Sequence, residues 1–235
     1  MLSLPLALED FVPVVLTAGG LWFVVSLVGR ADRSAGRWAA IGAILIVAGG
    51  LSRAIWKTVV ATGGADVAAL FAVLYLLLAT GYLVLAVAVW RGRQAHTGRP
   101  GRSARDPRLR VWMPAAIVLA ILLPVTAILA PSGGRLLPIL WLLAATIGSI
   151  TTSLLLARWT RDLGRPGIGW LFIVSLTVTL VLNGLARASD QSEALQWVEQ
   201  LVNTLNQGIF LIAALRLERA AAAAPAAAAP MPAAH

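Results

Sequence analysis

Apolar residues in this chain come in long runs broken by short clusters of arginine, glycine, proline and acidic residues. A helix crossing a bilayer needs about 20 predominantly apolar residues. Seven stretches approach that length, over residues 11–28, 38–60, 67–90, 111–130, 136–159, 168–186 and 194–217. The pattern predicts an all-α, polytopic membrane protein: a seven-helix transmembrane domain over 1–219, then a disordered Ala/Pro-rich tail over 220–235. The start, MLSLPLALED, lacks the positive charge of a cleavable leader, so segment 1 is expected to remain. Apart from 91–110, the connections are too short to hold a soluble domain.

Composition strengthens this picture. The chain is 59% hydrophobic and 12% charged, with mean hydropathy +0.84. Soluble domains run nearer about 45–50% apolar and about 25% charged. The preference for Arg over Lys, with abundant Ala and Gly, points to a bacterial source.

Charge placement predicts the orientation. Fifteen of the 19 basic residues lie after segments 1, 3, 5 and 7: Arg30, Arg33 and Arg37; the seven arginines of 91–110; Arg158, Arg161 and Arg165; Arg216 and Arg219. Glu9, Asp10, Asp66, Asp190 and Glu193 lie at the other ends, near Lys57, Arg135 and Arg187. The positive-inside rule then places the N-terminus outside and the C-terminus in the cytoplasm, as an odd number of spans requires. The net charge of +9 thus reads as topology, not as a nucleic-acid surface. The loop 91-RGRQAHTGRPGRSARDPRLR-110 is expected to lie against anionic lipid headgroups of an inner-membrane leaflet.

A repeat is also expected. Arg33-Ser-Ala-Gly-Arg37 precedes segment 2 and Arg161-Asp-Leu-Gly-Arg165 precedes segment 6; 50-GLSRA-54 closes the former and 184-GLARA-188 the latter. These matches pair segments 1–3 with 5–7 in parallel around segment 4, a 3+1+3 arrangement of the kind found in some transporters.

Polarity inside the spans is confined to three of them. Segment 7 carries 197-WVEQLVNTLNQ-207, in which Glu199, Asn203, Asn206 and Phe210 share a helical face with Gln207 beside it. Segment 2 carries Arg53 and Lys57, four apart. Segment 6 carries Ser175, Thr179, Asn183 and Arg187 at intervals of four. The predicted directions put Arg53, Lys57, Asn183, Arg187 and Glu199 in the outer layer of the membrane, with Asn203 and Asn206 extending the polar face toward its middle. Glu199 is expected to face Arg53, Lys57 or Arg187. Such groups are either interhelical glue or the lining of a functional pocket. Elsewhere, Thr146, Ser149 and Thr152 with Gly148 read as close helix packing. Tyr75 and Tyr82 read as core, and the tryptophans, Trp159 among them, mainly as an interfacial belt.

Absences exclude several chemistries. The chain has no cysteine, so disulfides, thiolate metal sites and cysteine nucleophiles drop out. The two histidines, His96 and His235, lie outside the spans, which leaves no ligand set for membrane haem or zinc hydrolysis. No lysine in segment 7 could carry a retinal Schiff base. We therefore expect a non-enzymatic membrane protein without metal or cofactor. It would bind or transport a small anionic solute or lipid headgroup through Arg53, Lys57, Asn183, Arg187, Glu199, Asn203, Asn206 and Gln207. The alternatives are an accessory subunit with a membrane-protein partner, and a seven-helix sensor that engages a partner through 91–110.

Overall fold

The computed structural model describes residues 4–65, 68–98, 136–185 and 193–224. The described residues form seven helices and no strand: α1 (Leu4–Glu9), α2 (Phe11–Ala31), α3 (Arg33–Ala61), α4 (Ala68–His96), α5 (Leu136–Asp162), α6 (Pro166–Leu185) and α7 (Glu193–Ala223). Helices α2 to α7 answer to predicted segments 1, 2, 3, 5, 6 and 7. Segment 4 and most of the basic loop lie outside the described residues. The short α1 is an addition, and α7 runs four residues into the expected tail.

Five stretches are long and apolar enough to cross a membrane: Leu4–Ala31, Arg33–Ala61, Val73–His96, Ile139–Asp162 and Pro166–Leu185. Helix α7 has the length, but its polar stripe leaves it short of the same apolarity. The outer surface agrees, since it carries many highly exposed large hydrophobic side chains, among them Val15 68%, Trp22 72%, Ile44 67%, Ile147 60%, Val181 62% and Leu205 70%. Soluble monomers rarely expose contiguous apolar surface on this scale. The fold therefore fits a multi-pass membrane protein.

The turns follow from local chemistry. A single extended residue, Asp32 (φ −150°, ψ 110°), separates α2 from α3. Its amide closes α2 on Val28 O, and its Oδ1 accepts from the amides of Ser34 (2.8 Å) and Ala35 (3.1 Å), which caps α3. At the end of α5, Gly164 takes the left-handed conformation (φ 69°). Its amide reaches Arg161 O and that of Arg165 reaches Thr160 O, a Schellman closure. Pro166 then starts α6 at the position that tolerates a missing amide. The two Arg–Gly–Arg stretches that resembled each other in sequence thus differ in structure: the first lies inside α3, and the second spans a helix end.

The six long helices close into a ring in chain order, each packing on the next and α7 returning to α2. Contacts fix the directions. Glycine pairs align α2 against α3 (Gly29 with Gly36) and α3 against α4 (Gly42 with Gly81), both antiparallel. Helices α4 and α5 are parallel, because Tyr82 packs at Gly148 while Arg93 meets Asp162. Helices α7 and α2 are also parallel, because Thr204 meets Glu9 while Glu218 meets Arg30. The arginine-bearing ends of all six helices therefore gather at one end of the bundle, called here the basic end.

The ring is packed unevenly. Val28, Ala35, Ala39, Val89, Leu156, Trp159, Phe172, Ala213 and Leu217, all buried, fill the half toward the basic end. Trp159 is a correction to the belt reading: it is fully buried, with His96 5.7 Å away and Gly92 against its ring. Glycine lets backbones touch there, as in membrane helix packing generally. The expected small-residue packing of α5 is present, with a Cβ on Gly148 falling 2.9 Å from Tyr82 Cβ.

A Cβ at Gly36 would sit 2.5 Å from Gly29 Cα, a backbone atom that cannot rotate away, whereas nothing lies within 4 Å of one at Gly208. Gly36→Ala is expected to cost about 1–3 kcal/mol by overpacking. Gly208→Ala should be neutral or stabilising by up to about 1 kcal/mol. Thermal unfolding of the two variants in detergent checks the contrast.

Candidate functional site

The other half of the ring encloses a cavity of about 220 Å³. Five helices and the residue before α2 line it: Asp10 ahead of α2 and Thr17 in its first half, Gly50 and Arg53 from the second half of α3, Tyr82 from α4, Thr179 and Asn183 from α6, and Glu199, Gln200, Asn203 and Gln207 from α7, with apolar neighbours such as Val14, Ile46, Val47 and Leu78. The antiparallel register explains why these stretches meet, since each lies toward the end of its helix away from the basic end. Glu199 and Gln207 are eight residues apart, so the polar wall runs about 12 Å along α7.

Of the eight expected residues, Arg53, Asn183, Glu199, Asn203 and Gln207 come together on this cavity. Arg187 lies outside the described residues. The other two are placed beside the cavity and not on its wall. Lys57 does not line the cavity; its Nζ is 2.5 Å from Asp10 Oδ2. Asn206 points at α6, where its Nδ2 donates to Thr179 Oγ1 at 2.9 Å and Thr179 in turn donates to Ser175 O at 2.9 Å. The face of α7 that meets the cavity is Glu199, Gln200, Asn203 and Gln207, one residue round from the stripe read in the sequence. Phe210 packs on Phe172 and Gly20 instead.

Sequence reasoning missed Asp10, Thr17 and Gln200, and read Tyr82 as core. Asp10 stands at the N-cap of α2, yet its side chain makes no capping hydrogen bond. Its carboxylate goes to Lys57. Thr17 Oγ1 lies 2.7 Å from Pro13 O and 3.0 Å from Gln207 Oε1, so its one proton serves both carbonyls. Gln207 Nε2 reaches Asn203 Oδ1 at 3.4 Å. These bonds fix the deep end of the cavity, and Thr204 Oγ1 donating to Glu9 Oε1 at 2.6 Å holds the same α2–α7 wall nearer the mouth.

In and beside the cavity two cations, Arg53 and Lys57, stand against two carboxylates, Asp10 and Glu199, but the close pairing is uneven. Asp10 neutralises Lys57, whereas no carboxylate among the described residues lies within 4.0 Å of the Arg53 guanidinium. Arg53 and Asn183 are exposed at the mouth. A guanidinium always carries charge and presents a planar set of donors. The arrangement can therefore hold an anionic or strongly accepting group at the rim, with amide and hydroxyl groups behind it. Over the described part of the basic stretch 91–110, α4 continues through His96, Arg91 Nη2 is 3.5 Å from Asp32 Oδ2, and Arg93 Nε is 2.6 Å from Asp162 Oδ2.

The chain matches no known protein family, no characterised relative and no solved structure. Its class is defined by the fold alone: an all-helical protein with several helices apolar enough to cross a membrane.

The side chains of Lys57 and Asp10 are 13% and 10% exposed, so this is a buried ion pair. Removing one partner strands a charge; Asp10→Leu is expected to cost about 3–5 kcal/mol, while Asp10→Leu with Lys57→Met should recover most of it. A double-mutant cycle on melting temperature tests this. Equal loss in the single and double variants would mean the pair does not hold α2 to α3.

Proposed function

We propose that this is a non-catalytic, multi-pass protein of a bacterial inner membrane, with the N-terminus outside and the C-terminus in the cytoplasm, which binds a small anionic solute or lipid headgroup in its cavity. The observation that carries the reading is Arg53: a cation at the mouth of a polar cavity, without an ion-pair partner among the described residues, beside a lysine that has one. Ionisable groups in spanning segments face cavities or partners because hydrocarbon solvates them poorly. Arg53 supplies the charge, Asn183 and Asn203 supply directional hydrogen bonds, and Gln207 is held at the deep end by Thr17.

The orientation is supported by the gathering of Arg30, Arg33, Arg37, Arg91, Arg93, Arg158, Arg161, Arg165, Arg216 and Arg219 toward one end of the ring. Seven spans are supported by the parallel course of α4 and α5, which obliges the intervening chain to return the length of the bundle. The parallel junctions α4–α5 and α7–α2 are also what a 3+1+3 repeat would produce. The alternative of an accessory subunit draws support from the polar groups already used between helices, Lys57 with Asp10 and Asn206 with Thr179.

Native mass spectrometry of protein released from its own membranes tests the binding reading. Wild type is expected to retain a small molecule or single lipid, and Arg53→Ala to lose it by about tenfold or more, the weight of one charge-assisted hydrogen-bonded contact. Glu199→Gln should weaken retention with the melting temperature preserved. A bare wild-type mass, or an adduct indifferent to Arg53→Ala, would sink the reading.

A further inference from the structure

The ring has two kinds of seam. Four join antiparallel helices that follow one another in the chain: α2–α3, α3–α4, α5–α6 and α6–α7. The other two, α4–α5 and α7–α2, join parallel helices. Cutting the ring along these two gives two three-helix halves, α2–α4 and α5–α7.

The ion pairs sort by seam. Among the described residues four are formed. Lys57–Asp10 and Arg91–Asp32 lie within the first half. Arg30–Glu218 (2.6 Å) crosses the α2–α7 seam, and Arg93–Asp162 (2.6 Å) crosses the α4–α5 seam. Each parallel seam thus carries one pair, and both pairs stand at the basic end. In one the first half contributes Arg30 from α2, in the other Arg93 from α4; the second half contributes the carboxylate both times. In both seam pairs the cation thus comes from the first half and the carboxylate from the second. At the cavity end the α2–α7 seam is bridged by hydrogen bonds, Thr204 to Glu9 and Thr17 to Gln207.

The packing completes the picture. Trp159, Leu156, Val28 and Leu217 plug the basic half, all of them fully buried, so among the described residues packed side chains stand between the cavity and that end. From Gln207 to Glu218 the plug extends about 16 Å along α7. In Arg30–Glu218 the arginine side chain is 57% exposed and the glutamate 11%, so the guanidinium can trade the carboxylate for water from its exposed side. That suits a contact that must break and reform. Two rigid halves that rock about a central site are a known solution to alternating access.

We propose that the protein is a carrier, that the described conformation is open away from the basic end, and that Arg30–Glu218 and Arg93–Asp162 are the twin latches of its closed gate. The proposal rests on the cavity being a ligand site. Parting the two parallel seams at the basic end exposes the cavity to that side and releases the bound solute there.

The absence of cysteine from the chain makes the test clean. Val47, on the cavity wall about 21 Å from the end of α3, is replaced as Val47→Cys and probed with a membrane-impermeant maleimide in right-side-out and inside-out vesicles. With wild-type latches, labelling is expected from the cavity side only. Adding Arg30→Ala and Arg93→Ala should raise labelling from the basic side about tenfold, a shift of the closed population toward the other state. The exchanged pairs, Arg30→Glu with Glu218→Arg and Arg93→Asp with Asp162→Arg, should return it toward the starting level. Should the alanine variant not fold, Glu218→Gln with Asp162→Asn is read in the same way. Basic-side labelling that stays at background in a monodisperse protein overturns the proposal. So does labelling that rises equally from both sides, or that the exchanged pairs do not reverse, since either marks general loosening. No bound ligand enters this measurement. A missing adduct in mass spectrometry would count against the binding site alone, and unmoved labelling with the adduct retained would count against the gate alone.

Discussion

The interior of this bundle is organised by the cost of leaving polar groups unpaired among apolar helices. Lys57 is tolerable on α3 because Asp10 reaches it from the start of α2, and Asn206 is tolerable on α7 because Thr179 takes its amide proton and passes its own to Ser175 O. Each of these contacts joins neighbouring helices, so it also sets the register between them. The ring closes with polar pairs at α7–α2 as well, where Thr17 and Arg30 meet Gln207 and Glu218 in order along two parallel helices, and Glu9 at the end of α1 meets Thr204. Apolar contacts between membrane helices discriminate weakly among registers, because lipid tails compete on equal terms. Directional polar contacts do discriminate.

Against that frame the cavity and the packed half are two outcomes of one helix arrangement. Where glycine and alanine face each other, as at Gly29–Gly36 and Gly42–Gly81, backbones come into contact and the space between helices vanishes. Where Arg53, Glu199, Asn203 and Gln207 face inward, the same helices cannot close, and a polar hollow of about 220 Å³ remains. The asymmetry between the two ends underlies both the proposed ligand site and the proposed gate.

Much of the fold was legible in the chain. The apolar runs located six of the seven described helices, missing only α1, and the polar stripe on α7 pointed at the right half of the bundle. Five of the eight expected site residues do share one cavity. The misses have specific causes. Asn206 and Gln207 are adjacent in sequence, and about 100° of rotation decides which of them meets the cavity; periodicity cannot supply that angle. Asp10 looked like an outer-loop acid because its partner lies 47 positions away on another helix. Trp159 looked interfacial because it ends an apolar run, but Gly92 on α4 opens a slot that receives its ring.

Read along one dimension, the chain already specifies helices, several of them apolar enough for a membrane, with arginines clustered after alternate segments. These are properties of composition and spacing along one dimension. Only the tertiary structure decided that α4 lies parallel to α5 and α7 to α2, that Lys57 is neutralised while Arg53 stands at the cavity mouth, and that two ion pairs fall on the two parallel seams. Those facts depend on helix rotation and register, which are set by contacts between residues far apart in the chain.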